Sequence, residues 1–414
     1  MKETLPVILH CDVNNFYASC ECLFRPDLKD SPVAVCGDPD RRHGIILAKN
    51  DLAKARGVKT AETIWQARQK CPDLVLLPPH FDTYLNYSRR IRAIYAQYTD
   101  RIESFGLDEC WLDVTESQGL FGNGVQIAER LREQVKRETG LTISVGVSFT
   151  KVFSKLGSDL KKPDAVTNLP PDRFRTLLWK LPAEQMLYIG GKTAEKLRQH
   201  QIFTIGDLAK ADTELLTELF GVNGRRMQQS ARGLDRDVIP LESQSRPVKS
   251  VGHGTTSSRD LISLQDVEEV LYHLSELTAT RLRRYGLMGF TVCLHLRDNR
   301  LRTISRQRRL PYPIDTSADL AQAGLELFRE HYDFSRDLPL RTVTLSVTDL
   351  MTAEAGIQQS FFEKRSRDLA ALEQSVDRVR EKFGFGAITR AILLNSEFKS
   401  ERTADEDEML PFRR

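Results

Sequence analysis

Apolar positions along this chain follow two spacings, and the two alternate in a recognisable order. Residues 5–13 form an apolar run of strand length, and buried strands read as such runs. Residues 32–37 and 44–49 predict two short strands around a turn at Asp38-Pro39-Asp40. Short helical patterns at 51–56 and 61–70 and a brief strand at 74–77 come next. Tyr84, Tyr87, Ile91, Ile94, Tyr95 and Tyr98 then recur at helical spacing, and the run 102–115 predicts a hairpin turning at Gly106. Ile127, Leu131 and Val135 mark an amphipathic helix stopped by Gly140. Ile143, Val145, Val147 and Phe149 alternate with Thr142, Ser144 and Ser148, which predicts a strand with one buried and one wetted face. With residues 18–80 set aside as an insertion, the order is β-α-β-β-α-β, the ferredoxin-like split unit.

The second half repeats the theme. Residues 151–162 form a short basic helical segment ended by Pro163, and Lys151 and Lys155 read as its solvated face. From 170 to 237 the chain is helical, with glycine-bearing turns at Tyr188-Ile189-Gly190-Gly191-Lys192 and Phe220-Gly221-Val222-Asn223-Gly224, each opening a helix. Residues 241–248 lack periodicity and read as a linker. Strands at 250–258, 289–297, 300–309 and 341–349, with helices at 264–285 and 317–332, give a second β-α-β-β-α-β. A charged amphipathic helix at 357–382 and an acidic tail at 401–414 complete a multidomain α+β chain.

Composition narrows the class of protein. At 28% charged and 40% hydrophobic residues the chain is of ordinary globular balance. A net charge of +3 is too mild to imply a polyanion partner, so the distribution of charge has to decide. No run approaches the ~18 apolar residues of a membrane helix, and the first apolar run, broken by His10 and Asp12, reads as a strand and not a signal peptide. Seven scattered cysteines with no CxxC pair fit a reduced, cytoplasmic protein.

Three features carry chemistry. Asp108, Glu109 and Asp113 put three carboxylates into six residues of an otherwise apolar, strand-forming stretch. Neighbours in a regular strand point to opposite faces, but a turn ending at Gly106 places Asp108 and Glu109 at a hairpin mouth, where the pleat is not yet regular. Close carboxylates repel unless a cation lies between them, so the pair reads as half of a hard-metal site. Taken alone it reads more readily as two solvated turn residues. The sheet order changes the balance, because it lays the first strand, ending in Asp12, beside the hairpin. For Asp12 the competing reading is a helix N-cap. The second feature is the pair of glycine turns, whose backbone N–H groups suit phosphates without reading a base. The third is a crowd of arginines, Arg281, Arg283, Arg284, Arg297, Arg300, Arg302, Arg306, Arg308 and Arg309, with Asp298 the one acid among them. Arg300, Arg302, Arg306 and Arg308 share one face of a strand by parity, and a guanidinium row suits a phosphate backbone. A solvated face would mix in acids.

The motifs Cys11-Asp12-Val13-Asn14-Asn15-Phe16-Tyr17-Ala18-Ser19, Leu107-Asp108-Glu109 and Lys162-Pro163 resemble the three signatures of Y-family, translesion DNA polymerases. The likeness runs nearly the whole chain. Length and tail look most like the polymerase IV type, while Asn14-Asn15, Cys20-Glu21 and Phe24-Arg25-Pro26-Asp27-Leu28 also look like the polymerase V catalytic subunit. The resemblance implies a right-hand architecture: a ferredoxin-like palm at 1–17 and 81–169, small fingers at 18–80, a helix-hairpin-helix thumb at 170–240, a linker at 241–249, a little finger at 250–400 and a flexible tail at 401–414. It implies that Asp12, Asp108 and Glu109, with the carbonyl of Val13, hold two Mg²⁺ ions. Tyr17, beside Phe16, would be the steric gate against a ribose 2′-hydroxyl, with Lys54 and Lys162 on the triphosphate. Gly190, Gly191, Lys192, Arg297, Arg300, Arg302, Arg306 and Arg308 would contact primer-template DNA, and Met409, Leu410 and Phe412 would bind a sliding clamp. The implied enzyme is a monomeric, low-fidelity polymerase that adds dNTPs without proofreading, in DNA damage tolerance and repair.

The chain also departs from the pattern. Asp51 and Lys54 stand where many relatives carry a Tyr and an Arg that grip the triphosphate; Asp repels phosphate, and Lys is a point charge where Arg is a fork. Ile45-Ile46-Leu47, over the nascent base pair, is bulkier than in some relatives and predicts a narrower set of bulky lesions. Asp407 stands where the usual clamp-peptide Gln would be, which predicts weak clamp binding. Two other functions compete: a catalytically silent DNA-binding scaffold, opposed by the intact carboxylates, and a nucleotide cyclase, which would need neither thumb nor arginine strand. Asp113 is left to a structural role.

Overall fold

In the computed structural model the described residues are 5–37, 44–242, 247–353 and 367–397. They fall into two compact units, residues up to 242 and residues from 247.

The first unit begins with β1 (Ile8–Val13) and α1 (Phe16–Leu23). Then come β2 (Val33–Cys36), β3 (Ile46–Lys49), α2 (Asp51–Ala55), α3 (Ile64–Lys70) and β4 (Val75–Leu77). The chain returns through α4 (Phe81–Tyr95), β5 (Ile102–Ser104), β6 (Glu109–Asp113), α5 (Gln118–Phe121), α6 (Gly124–Thr139), β7 (Ile143–Ser148), α7 (Lys151–Leu160) and β8 (Val166–Asn168). Five strands make one sheet in the order β5-β6-β1-β7-β8, so β1 and β6 are hydrogen-bonded neighbours, as the ferredoxin-like order requires. The inserted residues form their own three-stranded sheet, β3-β2-β4, around Ala34, Ile46, Ala53, Val58 and Ala67.

Helix boundaries follow local chemistry. Asn123 and Gln126 form a capping box at the start of α6, and Gly140, at φ 75°, ends it in the left-handed region. Ile127, Leu131 and Val135 then lie fully buried, as their spacing predicts. One face of the sheet, carrying Leu9, Cys11, Val13, Cys110 and Leu112, packs under α4 and α6.

The opposite face overturns an expectation. Thr142, Ser144 and Ser148 read as a wetted face, yet β7 is buried at all six positions. Helix α7 lies across that face. Gly146 makes the approach possible: a Cβ there would stand 1.9 Å from the carbonyl oxygen of Ser154 and 2.5 Å from the nitrogen of Ser158. The hydroxyls bond internally, Ser144 to Asn14 Oδ1 at 2.8 Å and Ser148 to the carbonyl of Leu169 at 2.9 Å.

Helices α8 (Phe174–Leu178), α9 (Gly191–Gln199), α10 (Ile205–Lys210), α11 (Thr213–Phe220) and α12 (Val222–Ala231) follow. Their core, with Leu197, Ile205, Leu208 and Leu216, is continuous with Phe149, Val152, Phe153 and Leu156 from the end of β7 and the outer side of α7. Gly224 lets α12 pass α11, since a Cβ there would meet the carbonyl of Leu216 at 1.9 Å.

The second unit comprises β9 (Ser250–Leu261), α13 (Leu264–Arg284), β10 (Leu287–Asp298), β11 (Thr303–Ile314), α14 (Ser317–His331), β12 (Leu340–Thr352) and α15 (Arg367–Phe383). Its sheet order is β11-β10-β12-β9. Val292, Leu294, Leu296, Val343, Leu345 and Val347 meet Val270, Leu274, Leu320 and Phe328 in its core. Part of the linker and of the 357–382 segment, and all of the tail with Met409, Leu410 and Phe412, lie outside the described residues.

Candidate active site

The antiparallel register of β1 and β6 sets Asp12 directly opposite Glu109. Val13 donates its N–H to the carbonyl of Asp108 at 3.0 Å, so the ladder bond falls at Val13 and Asp108 and the Asp12–Glu109 pair next to them is a non-hydrogen-bonded one. Side chains approach most closely in such pairs. Asp12 and Glu109 therefore project side by side from the face that α7 covers, and Asp108 joins them from the turn, where Gly106 at φ 96° has broken the pleat.

Burial and mutual repulsion set the protonation of this trio. Burial, then the charges of Asp12 and Glu109, push Asp108 up to about 7. Burial also raises Asp12, with Lys162 opposing it. Glu109 goes the other way, down to about 2, because the burial that would raise it is outweighed by the close approach of His10 and by the ammonium group of Lys155. Burial lowers the imidazole of His10 and so favours its neutral form, which leaves the ammonium group of Lys155 as the compensating charge.

Lys162 Nζ lies 2.7 Å from Asp12 Oδ2 and 2.8 Å from Asp159, and Lys155 Nζ bonds Glu109 Oε2. His10 Nε2 stands 3.2 Å from the same Glu109 oxygen, while its Nδ1 lies 2.8 Å from Ser158 Oγ. The Ser158 hydroxyl donates to the carbonyl of Lys155 at 2.8 Å. Lys151 is 7% exposed, 2.8 Å from Glu103, over the ring of Trp111. The solvated-face reading of Lys151 and Lys155 is therefore wrong. The two strands beneath them carry Glu103 on β5 and Glu109 and Trp111 on β6, and α7 presses its lysines onto them. Sequence reasoning also missed His10, whose signal was its place two residues before Asp12 on the same strand face. Asp113 Oδ1 accepts from the N–H of Thr115 at 3.0 Å.

Among the described residues no three acidic, His or Cys side chains converge closely enough to ligate an ion as they stand, and the ammonium groups of Lys162 and Lys155 hold oxygens of Asp12 and Glu109. The donor set nonetheless suits a hard cation: oxygen donors, with one carboxyl pushed toward neutrality by burial and by its two carboxylate neighbours.

The aromatic motif divides. Phe16 is 3% exposed, with its ring turned inward against Tyr17 and Tyr84. Tyr17 is half-buried, and burial together with neighbouring Asp108 raises its phenol to about 12. Its ring stacks on Tyr84 at 4.3 Å and 11° and meets Phe81 edge-on at 6.0 Å. In the small sheet Ile46 is fully buried, so only Ile45 and Leu47 of that trio reach outward. Lys54 and Asp51 are exposed on α2. Lys49, bonded to Thr60 Oγ1 at 3.0 Å, is lowered by burial and then by the nearby charge of Lys54.

Gly190, Gly191 and Lys192 are exposed at the start of α9, and a Cβ at either glycine would meet nothing within 4 Å. The arginine strand needs correction. Arg300 and Arg302 lie in the turn before β11, held by Asp298 Oδ1 at 2.8 and 2.9 Å from their backbone nitrogens. Arg306 and Arg308 pair with Leu294 and Val292, on the helix-covered side of the sheet. Arg308 there binds Glu326 at 2.9 Å and Glu330. The open side is different. It carries Ser250, Gly252, Gly254 and Thr256 opposite Thr348, Ser346, Thr344 and Thr342, then Thr291, Cys293, His295 and Arg297. This face is hydroxyl-rich, with Arg297 exposed at its end.

Comparison with known proteins gives a consistent result. Residues 11–159 match the impB/mucB/samB family and residues 248–361 match the impB/mucB/samB family C-terminal domain. The chain is 46% identical to DNA polymerase IV of Acetivibrio thermocellus, over 94% of this chain and 97% of that one. It is 34% identical to DNA polymerase IV 1 of Bacillus subtilis, over 94% of each. A solved chimeric Y-family DNA polymerase shares the fold at a TM-score of 0.75 and 21% identity, covering 84% of this chain and 99% of that one.

Proposed function

We propose a reaction path for a chain that belongs to the impB/mucB/samB family, the Y-family DNA polymerases of the polymerase IV type. It is a DNA-directed DNA polymerase of the translesion class, acting on primer-template DNA with deoxynucleoside triphosphates. The proposal concerns which residues do the work. Asp12, Asp108 and Glu109, with the carbonyl of Val13, would hold two Mg²⁺ ions. When bound, such ions activate the attacking hydroxyl and neutralise charge at the transferring phosphoryl group. The observation that supports this is the close Asp12–Glu109 pair with Asp108 beside it, buried against two other carboxylates.

The chain's own residues have separable tasks. The primer 3′-hydroxyl attacks the α-phosphorus, and the bond to the pyrophosphate oxygen breaks. Lys162 moves from Asp12 to the triphosphate, with Lys54 as a second point charge. Lys155 and His10 keep Glu109 ionised and aimed. Tyr17 excludes a ribose 2′-hydroxyl. Backbone N–H groups at Gly190 and Gly191, with Lys192, hold a DNA phosphate at a helix start. The hydroxyl-rich face of the second unit, with Arg297, positions the duplex through its backbone and not its bases. Synthesis proceeds without a proofreading nuclease, in DNA damage tolerance and repair, and Met409, Leu410 and Phe412 dock weakly on a sliding clamp.

Extension of a primed template with Mg²⁺ and dNTPs tests the site. Asp108→Asn, Glu109→Gln should abolish it, and persistent extension would refute the assignment. Removing residues 407–414 should lower processivity on clamp-loaded DNA and leave synthesis on naked primer-template unchanged; equal processivity would refute the docking peptide.

A further inference from the structure

Tyr17 and Glu21 stand one helical turn apart on α1, and His80 and Tyr84 stand one turn apart across the start of α4. Residues at this spacing share a helix face, so the four side chains meet as two facing pairs. The Tyr17 and Tyr84 rings stack at 4.3 Å with planes 11° apart. Glu21 takes the other corner. Its Oε1 accepts from the hydroxyl of Tyr84, both its oxygens lie 3.0 Å from Nδ1 of His80, and Oε1 lies 3.3 Å from the His80 backbone nitrogen. Glu21 is 8% exposed and Tyr84 is not exposed at all. A carboxylate so buried needs its full set of donors, and here every donor belongs to α4 or to the residue that begins it.

We infer that Glu21 is a positioning residue for sugar selection. Its carboxylate fixes the height and tilt of the Tyr84 ring, and the Tyr84 ring is the surface on which Tyr17 lies. The inference rests on Tyr17 being the gate and extends that reading to the groups that hold the gate in place. Ring stacking alone is permissive, because offset-stacked rings slide over a broad range of centroid separations. A hydrogen bond to a charged acceptor is directional and short-ranged. Glu21 therefore converts a sliding contact into a fixed one. A sugar 2′-hydroxyl is excluded by a displacement comparable to one oxygen radius, so a ring free to slide admits it. Phe81, edge-on to both Tyr17 and Tyr84, closes the far side of the stack. Neither Glu21 nor Tyr84 has to touch the nucleotide for this to operate.

The experiment measures kcat/KM for a dNTP and for the matching ribonucleotide opposite the same template base, with KM and kcat resolved for each. Glu21→Leu should lower the preference for the deoxy sugar roughly 10-fold, the worth of one charge-assisted hydrogen bond, chiefly by raising ribonucleotide incorporation. Glu21→Gln retains an oxygen that accepts from Tyr84 and should stay within about 2-fold of the parent. Tyr84→Phe keeps the ring and removes only the hydroxyl, and should lower the preference in the same direction, so the outcome does not hang on Glu21→Leu folding. In a Tyr17→Ala background Glu21→Leu should have no further effect, since residues acting through one another are non-additive. If Tyr17→Ala changes the preference while Glu21→Leu and Tyr84→Phe do not, the positioning role is overturned and the gate stands. If Tyr17→Ala itself changes nothing, the gate reading falls and the inference with it. A preference lost equally in Glu21→Gln and Glu21→Leu would also overturn it, because the accepting oxygen would then be irrelevant.

Discussion

Replacing Asp108 by Asn should stabilise the ion-free protein, and by an amount that depends on pH. Burial and two neighbouring carboxylates raise Asp108 from 3.8 to about 7 in the folded chain. The folded state then keeps a proton that the unfolded chain releases near 3.8, so between these values the group favours the unfolded state increasingly as pH rises. Above pH 7 the whole penalty is present; below pH 4 it is absent. Three units at ~1.4 kcal/mol each would give roughly 4 kcal/mol, and discounting for the partial solvent access of Asp108 leaves about 2 kcal/mol. Asn cannot ionise and does not incur it. Thermal unfolding of both proteins in EDTA at pH 4, 6 and 8 should give equal stability at pH 4 and an Asn variant on the order of 5 °C more stable at pH 8. Mg²⁺ should then favour the parent, because ligand binding to the folded state stabilises by about 2.7 kcal/mol at 100 times Kd. A variant no more stable than the parent at pH 8 in EDTA, or a difference independent of pH, would refute the electrostatic account of the trio.

Two further outcomes follow from packing and charge placement. Gly146→Ala should cost more than about 3 kcal/mol, because its Cβ would strike backbone atoms of α7 and not the end of a mobile side chain; urea unfolding checks this, and a near-neutral result would mean α7 does not bear on β7. Arg297→Ala should reduce the slope of log K for DNA against log salt by about 0.9, and Arg308→Ala, already paired to α14, should leave it unchanged; equal slopes for the two variants would return the arginine row to the interface.

Much of this was legible in the order of apolar runs. The alternation at 143–149, the helix at 127–135 and the hairpin around Gly106 determine a sheet in which β1 lies beside β6, and that adjacency alone brings Asp12 to Glu109. What stayed hidden was the second layer. Ser144 and Ser148 are polar, and polarity in a strand normally means water; the contrary signal was Gly146 between them, a residue without a Cβ where another backbone passes. The arginines misled through parity. Arg306 and Arg308 do share a face, but Ile304 and Leu310 share it too, and both pack against the core. Reading those two apolar residues first would have turned the face toward α14. Lys155 was hidden for a different cause: its partner, Glu109, lies 46 residues earlier, and no local pattern reports a contact at that range.

The Asp12–Glu109 pairing makes the proposed reactive centre a matter of counting. Side chains in a strand alternate with a period of two, so adding or removing one residue within β1 or β6 sends one carboxylate to the other side of the sheet. There it would meet α4, where Cys11 lies against the fully buried Tyr95. Conservative exchanges along these strands change packing by degrees, whereas a single-codon insertion or deletion separates the pair outright. Over evolutionary time this segment is therefore free to drift in spelling but not in length, and length variation among descendants of this chain should collect in the connections between elements.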